Sequence, residues 1–299
     1  MASLSHTEVK INFTAMGTSF EVIGSGADFH VMNDVASYAH ELESMWTRFR
    51  DSSELMQLNH KAGQFVPVSQ ETTFLVEHMR RGYFLTAGLF NAGVLLAMLQ
   101  SEFTAPDSTY QPEKYDAKHM DSLWEKVEVQ PHQVRLPVGL AIDAGGIGKG
   151  LAADLMAELG MKRGAQGIVV NAGGEVSVRG ESPNPQGWSV GVENPFDSED
   201  LLATAYLHAG GFATSAPSGW MSGDRSHIMD PRTGQSVKND IAQATVLSAR
   251  AVDSEILAKM CVLMPIEESL EKIDELGAAA LIVDNDLNLY PSSFWSEFE

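Results

Sequence analysis

Ten consecutive residues concentrate this chain's capacity for chemistry: Ala141-Ile142-Asp143-Ala144-Gly145-Gly146-Ile147-Gly148-Lys149-Gly150. The pattern predicts a short apolar strand ending in Asp143, then a turn of four glycines and one lysine that opens a helix continuing from Leu151 to Gly160. Glycines let the backbone come close to a ligand, and the first amides of a helix have no intrahelical partner. Those amides sit at the positive end of the helix dipole, which suits a phosphate-bearing ligand. The spacing matches neither Gly-x-x-x-x-Gly-Lys-Ser/Thr, since Asp143 and Gly150 stand at required positions, nor Gly-x-Gly-x-x-Gly. A glycine turn that merely packs tightly fits the same residues, so spacing alone leaves both readings open.

Other polar or glycine-rich clusters recur at turns: Met16-Gly17-Thr18, Asn171-Ala172-Gly173-Gly174-Glu175, Ala213-Thr214-Ser215, and His227-Ile228-Met229-Asp230-Pro231-Arg232-Thr233-Gly234. Each has an ordinary structural reading taken singly. Asp-Pro-Arg-Thr-Gly is turn chemistry, and a lone histidine is more often structural than catalytic. The single cysteine, Cys261, lies in the apolar run Met260–Met264, where a buried inert thiol is expected and no intramolecular disulfide can form.

These clusters need a scaffold, and the hydrophobic pattern supplies one. Strands are predicted at Val9–Thr14 and Ser19–Ile23, and helices at Val31–Phe49 and from Gln70 to about Thr86. Ser101–Tyr115 reads as a surface loop. Hairpin-like pairs follow at Val127–Val129 with Val134–Leu136, and at Gly167–Val170 with Glu175–Arg179. Further strands are expected at Trp188–Val192, Ala203–Leu207, Gly211–Thr214 and Ile241–Leu247. Helices at Val252–Met264 and Ile266–Leu276 precede a closing hairpin of Ala279–Val283 and Leu287–Tyr290. Helices and strands mix without βαβ alternation, which predicts an α+β fold.

The 299 residues, 44% of them apolar, are enough for a sizeable core in one large domain or two ordinary ones. Forty acidic against twenty basic residues give a net charge of -20, which argues against non-specific binding to nucleic acid or anionic lipid. The N-terminus has neither the basic region nor the apolar core of a signal peptide, and no window reaches membrane-span length. The expectation is a soluble, cytoplasmic protein.

The order of the clusters is more specific than any one of them. Met-Gly-Thr, then Asp-x-Gly-Gly-Ile-x-Lys-Gly, Asn-Ala-Gly-Gly, Thr-Ser and His-Ile-x-Asp-Pro-x-Thr-Gly resembles the ApbE family of FAD:protein FMN transferases over about Ile11 to Leu263. The resemblance implies a single domain over residues 1–299. It also implies an α+β, T-fold-related architecture, in which a mixed, largely antiparallel sheet and flanking helices enclose an extended FAD site. It implies a Mg²⁺-dependent enzyme that splits the pyrophosphate of FAD, moves FMN to a threonine or serine hydroxyl of an acceptor protein, and releases AMP. His227 then corresponds to the catalytic histidine, with Ile228 beside the cofactor. Met16, with Gly17 and Thr18, lines the flavin pocket, and Phe49 stands where many members have tyrosine. Asp143, Gly145 and Lys149 border FAD, joined by Leu89, Phe90, Asn91, Asn171, Gly173, Thr214 and Ser215. The carbonyl of Gly146 falls where the family uses a backbone oxygen on the metal.

Departures from the family pattern cluster on the metal side. Members usually carry an aspartate and, four residues later, a threonine on the helix after the late strand. The best register here puts Ser254 and Ala258 there; sliding it to use Asp253 puts Leu257 in the threonine's place. Asp253 and Ser254 therefore remain the candidate side-chain ligands, one expected oxygen short. Leu89-Phe90-Asn91-Ala92-Gly93 replaces a common Phe-Asp-Pro-Thr, so Asn91 stands for a carboxylate, and Ala216 follows Thr214-Ser215 where glycine is usual. Two readings follow: a working transferase with magnesium held by Asp253, Gly146 and phosphate oxygens, or a flavin-binding relative that keeps FAD or FMN for another use. A purely structural protein would leave the ordered motifs unexplained.

Overall fold

The computed structural model describes residues 8–100, 116–218, 221–222 and 225–298. The Ser101–Tyr115 segment read as a loop lies outside them. In chain order the strands are β1 Glu8–Ala15, β2 Thr18–Ser25, β3 Val66–Pro67, β4 Glu128–Gln130, β5 Gln133–Arg135, β6 Gly167–Ala172, β7 Glu175–Gly180, β8 Trp188–Asn194 and β9 Asp197–Leu207. There follow β10 Gly210–Ser215, β11 Met221–Ser222, β12 Arg225–Ser226, β13 Met229–Asp230, β14 Gln235–Ser236, β15 Ile241–Ser248, β16 Ala279–Asp284 and β17 Leu289–Pro291. The α-helices are α1 Phe29–Trp46, α2 Glu54–His60, α3 Gln70–Leu85, α4 Leu95–Gln100, α5 Met120–Glu125, α6 Gly148–Lys162, α7 Ala251–Val262 and α8 Ile266–Glu275. The chain forms two compact units, one from Met1–Glu41, Lys149–Ala216 and Ile241–Glu299, the other from Leu42–Gly148 and Pro217–Asp240.

The first unit is built on an eight-stranded sheet in the order β1-β2-β6-β7-β10-β15-β16-β17, antiparallel at every described pairing. Its apolar positions explain the pairing: Phe20, Val22, Ile168, Val170, Val178, Ala213, Val246 and Ile282 are all fully buried. Register then collects distant motifs at one end of the sheet. Ala15 faces Thr18, so Met16-Gly17 is a two-residue loop, and Ala172 faces Glu175, so Gly173-Gly174 is another. Phe20 opposite Ala172 sets the two tips side by side, and Phe212 opposite Val176 carries Thr214 and Ser215 to the same end. A mixed α+β fold with a large antiparallel sheet and flanking helices is thus what the chain adopts.

The second unit holds the small β3-β5-β4 sheet, the hairpins β11/β12 and β13/β14, and α2 to α5. Its interior is centred on Trp124, Leu55, Leu75, Met79 and Val134, all fully buried. Most long elements fall within a few residues of their predicted bounds. One expectation is corrected: Ala141-Ile142-Asp143 is not a strand. Its backbone is satisfied by a side chain instead. The Ile142 N–H donates to Asn59 Oδ1 at 2.9 Å and Asn59 Nδ2 donates to the Ile142 carbonyl at 2.9 Å, while the Asp143 N–H donates to the Ala92 carbonyl at 2.9 Å. The buried Asn59 amide therefore does locally what a neighbouring strand would do.

Candidate functional site

In the first unit the clustered sheet end carries Met16, Gly17, Thr18, Asn171, Gly173, Thr214 and Ser215. Met16 has φ +51° and Gly17 φ +74°, the left-handed pair that a tight hairpin requires. A methionine in that region is strained, by about 1 kcal/mol or more, where asparagine would be at ease. Gly173, at φ +70°, lies so close to Thr18 that any Cβ there would collide with its side chain. Asn171 Oδ1 accepts the Gly174 N–H at 2.8 Å, and the Thr214 and Thr245 hydroxyls lie 2.8 Å apart.

Lys149 is part of a buried charge cluster. Its ammonium pairs with Glu175 and lies 3.5 Å from Glu255 Oε1, which is 3.2 Å from Lys259 Nζ. Glu255 Oε2 also accepts the Gly150 N–H at 2.8 Å, so an amide of the α6 N-terminus already has an anionic partner inside the protein. Gly150 has a packing reason too: a Cβ there would sit 2.7 Å from the Ala251 carbonyl oxygen and 2.9 Å from Glu255 Oε2. The tight-packing reading of the glycine run thus holds for Gly150. Burial works against the charge on Lys149, but Glu175 and then Glu255 outweigh it and hold the ammonium above its ordinary range. Burial likewise opposes ionisation of Glu255, yet Lys259, Lys149 and the Gly150 amide together hold that carboxyl low. Glu175 goes the other way: burial dominates, and Glu255 adds to it against the pull of Lys149. Its Oε2 has no hydrogen-bond partner among the described residues.

Helix α7 carries Asp253 and Ser254. Asp253 is partly buried in its first turn, whereas Ser254 is fully buried. The Ser254 hydroxyl donates to the Arg250 carbonyl at 3.2 Å and lies 2.8 Å from the Ser248 hydroxyl. Ala258 and Leu257 are buried as well. The start of α7 is held by a residue the sequence reading did not single out. Asp154, wholly buried on α6, accepts the Ala251 and Val252 N–H groups, each at 3.1 Å, the Ser177 hydroxyl at 2.7 Å and Arg179 Nη2 at 3.1 Å.

The second unit contains Phe49, Leu89, Phe90, Asn91, Asp143, Gly145, Gly146, His227 and Ile228. Asp143 Oδ2 accepts the Gly145 N–H at 3.0 Å and faces Arg48 Nη1 at 3.2 Å. Both members of that ion pair are nearly buried, which ties the aspartate to the turn it introduces. The Arg48 guanidinium also lies 5.0 Å from the centre of the exposed Phe49 ring. Arg48 escaped the sequence reading because one arginine in Thr-Arg-Phe-Arg carries no spacing signal. Asn91 caps the short turn Ala92–Val94 through the Gly93 N–H, Phe90 is buried with its N–H on Thr86 Oγ1 at 2.8 Å, and Leu89 is partly buried.

His227 is partly buried and sits between two fixed neighbours. The Ile228 N–H donates to Ser226 Oγ at 3.1 Å, the Val237 N–H to the Ile228 carbonyl at 2.9 Å, and Ser236 Oγ to the Ser226 carbonyl at 2.6 Å. The β13/β14 hairpin that follows is closed by Asp230, which accepts the Arg232 N–H and Nε, each at 2.9 Å, and Nη2 at 2.8 Å. Asp-Pro-Arg-Thr-Gly is therefore turn chemistry, and the turn stabilises the segment that bears the histidine.

Among the described residues no group of three or more His, Cys, Asp or Glu side chains is arranged to hold a metal ion. No helix among them is long and apolar enough to cross a membrane.

Comparison with known proteins agrees with this arrangement. The sequence pattern of the ApbE family matches residues 16–282. A FAD:protein FMN transferase of Klebsiella pneumoniae is 24% identical over 263 residues, covering 83% of this chain and 80% of that one. Its counterpart in Vibrio cholerae is 22% identical over 310 aligned residues, 97% of this chain and 92% of that one. In fold, the ApbE protein of Thermotoga maritima superposes with a TM-score of 0.85 at 22% identity, covering 98% of this chain and 99% of its own. The flavin transferase ApbE of Vibrio cholerae does so with a TM-score of 0.83 at 22% identity, covering 98% of this chain and 100% of its own. With the pattern running through both compact units, the chain belongs to the ApbE family.

Proposed function

We propose that this protein is a Mg²⁺-dependent FAD:protein FMN transferase, which moves FMN from FAD to a threonine or serine hydroxyl of an acceptor protein and releases AMP. The observation that carries the reading is the family match over residues 16–282, which takes in the His-Ile-x-Asp-Pro-x-Thr-Gly segment with the Met229–Ser236 hairpin directly after His227 and Ile228. A hydroxyl is a poor nucleophile until a base takes its proton. In this reading His227 accepts that proton, and the freed oxygen attacks the phosphorus on the FMN side of the pyrophosphate. The bond from that phosphorus to the bridging oxygen breaks, and AMP leaves with the electron pair. Met16, Gly17, Thr18, Phe49, Leu89, Phe90, Asn91, Asp143, Gly145, Lys149, Asn171, Gly173, Thr214, Ser215 and Ile228 are assigned to holding FAD.

The proposal gives the magnesium ion few ligands from the protein, so most of them would come from the substrate. Magnesium typically binds through one or two carboxylates plus substrate phosphates and water, and in this reading Asp253 and the Gly146 carbonyl would be its hard oxygen donors from the protein. The Ser254 hydroxyl, engaged with Ser248 and the Arg250 carbonyl, is the weakest of the three candidates. When bound, the ion supplies charge neutralisation for the pyrophosphate.

The test is incubation of the protein with FAD and Mg²⁺, with and without a threonine-bearing acceptor peptide. Mass spectrometry reads FMN on the peptide and chromatography reads AMP. The expected result is both products, lost with EDTA and lost in His227→Ala while FAD affinity stays nearly constant. Tight FAD binding with no AMP released, with or without peptide, would sink the transferase reading in favour of a flavin-binding protein. Unchanged turnover in His227→Ala would remove the assigned base.

A further inference from the structure

Arg48 stands where three segments of the second unit meet, and each of them carries or adjoins a residue assigned above to FAD. The first is its own loop. Phe49 follows directly, with its N–H on Thr47 Oγ1 at 3.2 Å, and the Arg48 guanidinium lies over the Phe49 ring, 5.0 Å from its centre. That residue is 59% exposed, so most of the ring is left open. The second segment is the glycine turn. Arg48 Nη1 faces Asp143 Oδ2 at 3.2 Å, and the same oxygen accepts the Gly145 N–H at 3.0 Å. A Cβ on Gly145 would lie 2.7 Å from that oxygen, so the turn closes tightly over the atom that Arg48 holds. The third is α4, which follows the turn bearing Asn91. Nη1 lies 3.8 Å from Met98 Sδ, and Met98 packs with Ala97 and Met229 in one buried cluster. Met229 belongs to the segment of His227 and Ile228.

The burial of the pair sets it apart from a surface salt bridge, since the two side chains are only 10% and 8% exposed. A carboxylate so far from water needs a cation beside it, all the more where it borders an anionic dinucleotide. Arginine's planar fork can face a carboxylate and lie on an aromatic ring at once, which the point charge of lysine cannot. With so little of the side chain exposed, not much of it is left for a ligand to touch. We infer that Arg48 is a positioning residue, which holds the Asp143 carboxylate and the Phe49 ring in the attitude that receives FAD and acts through them rather than on the nucleotide. The inference rests on the flavin-nucleotide reading above and adds a residue that reading does not use.

Two variants divide its roles. Arg48→Lys keeps the charge beside Asp143 and gives up the planar face, whereas Arg48→Met keeps the packing on Met98 and gives up the charge. FAD affinity is measured by calorimetry and turnover by AMP release, with thermal unfolding as the control for folding. Arg48→Lys is expected to stay folded and to lose about tenfold in FAD affinity. Arg48→Met is expected to lose at least as much, because it leaves a buried anion facing an anionic ligand, and much less once Asp143→Asn has removed that anion. A residue that only supports the fold would lower Tm and leave the FAD affinity of the folded protein unmoved. Folded Arg48 variants whose affinities stay within about twofold of wild type, or Arg48→Met and Asp143→Asn losses that simply multiply, overturn the inference alone. So would a failure of both Arg48 variants to fold, since the residue would then be a determinant of the fold. A wild-type protein that does not bind FAD overturns the flavin-nucleotide reading and the inference together.

Discussion

Replacing Asp154 by asparagine tests how α7, and with it Asp253, is set in place. Arg250, at the cap position of α7, offers no side-chain bond to the helix, so the carboxylate reaching across from α6 is what satisfies the first amides. Asparagine retains the shape and one oxygen. At Oδ2, however, its amide would face the Val252 N–H and the Arg250 guanidinium, two donors against a donor. The change also removes the negative charge beside Arg179, 3.1 Å away and only 21% exposed. Loss of a helix cap costs about 1 kcal/mol, and breaking a well-buried ion pair about 3–5 kcal/mol. Because Arg179 and Arg250 keep part of their hydration, and one oxygen survives, the lower end applies, roughly 2–4 kcal/mol in all. For a chain of this size that corresponds to a fall in Tm on the order of 10 °C. Calorimetry with urea unfolding measures it, and a double cycle with Arg179→Met sharpens it. Methionine leaves no cation stranded once the anion is gone, so the double variant is expected to lose less than the sum of the singles. A Tm within 2 °C of wild type, or strict additivity, would refute the argument that Asp154 carries the α7 start.

Three further outcomes are expected. Met16→Asn relieves the left-handed strain of the β1–β2 loop, so Tm rises by a few degrees while FAD binding weakens, as thermal shift and a flavin titration would show; weakened stability would contradict it. Burial pushes the Cys261 thiol up to about 12, so a disulfide reagent at pH 8 is expected to find no thiol in the native protein and one after denaturation. Although burial opposes it, Arg232 holds the Asp230 carboxyl below its ordinary value. That stabilisation is present above the ordinary carboxylate range and is lost as pH falls through the folded value. Arg232→Met is therefore expected to move the acid limb of unfolding to higher pH, and an unmoved limb would assign the hairpin's stability elsewhere.

Periodicity and turn chemistry are local, and the sequence by itself determined what depends on them. The β1–β2 and β6–β7 hairpins, the face of α1 bearing Val35 and Leu42, and the helix opening at Gly148 all follow from spacing of apolar residues and glycines within a few positions. The ordered motifs also carried the family, because their succession along the chain needs no knowledge of distance. Short pieces such as α2, α4 and α5 escaped, since six or seven residues hold fewer than two helical turns and give no dependable period.

Only the tertiary structure decided where backbone and charge are satisfied. Ala141–Asp143 has the composition of a strand, yet the Asn59 amide, more than eighty positions earlier, pairs with its backbone and no strand forms. Lys149 reads as the lysine of a glycine turn beside FAD, and only the structure shows Glu175 and Glu255, each distant in sequence, paired with it. Asn91 reads as a weakened carboxylate until the Trp124 indole and the Gly93 N–H are placed on its oxygen. The physical reason is common to all three. A buried polar group must find a partner, and which partner it finds is set by packing between segments far apart along the chain.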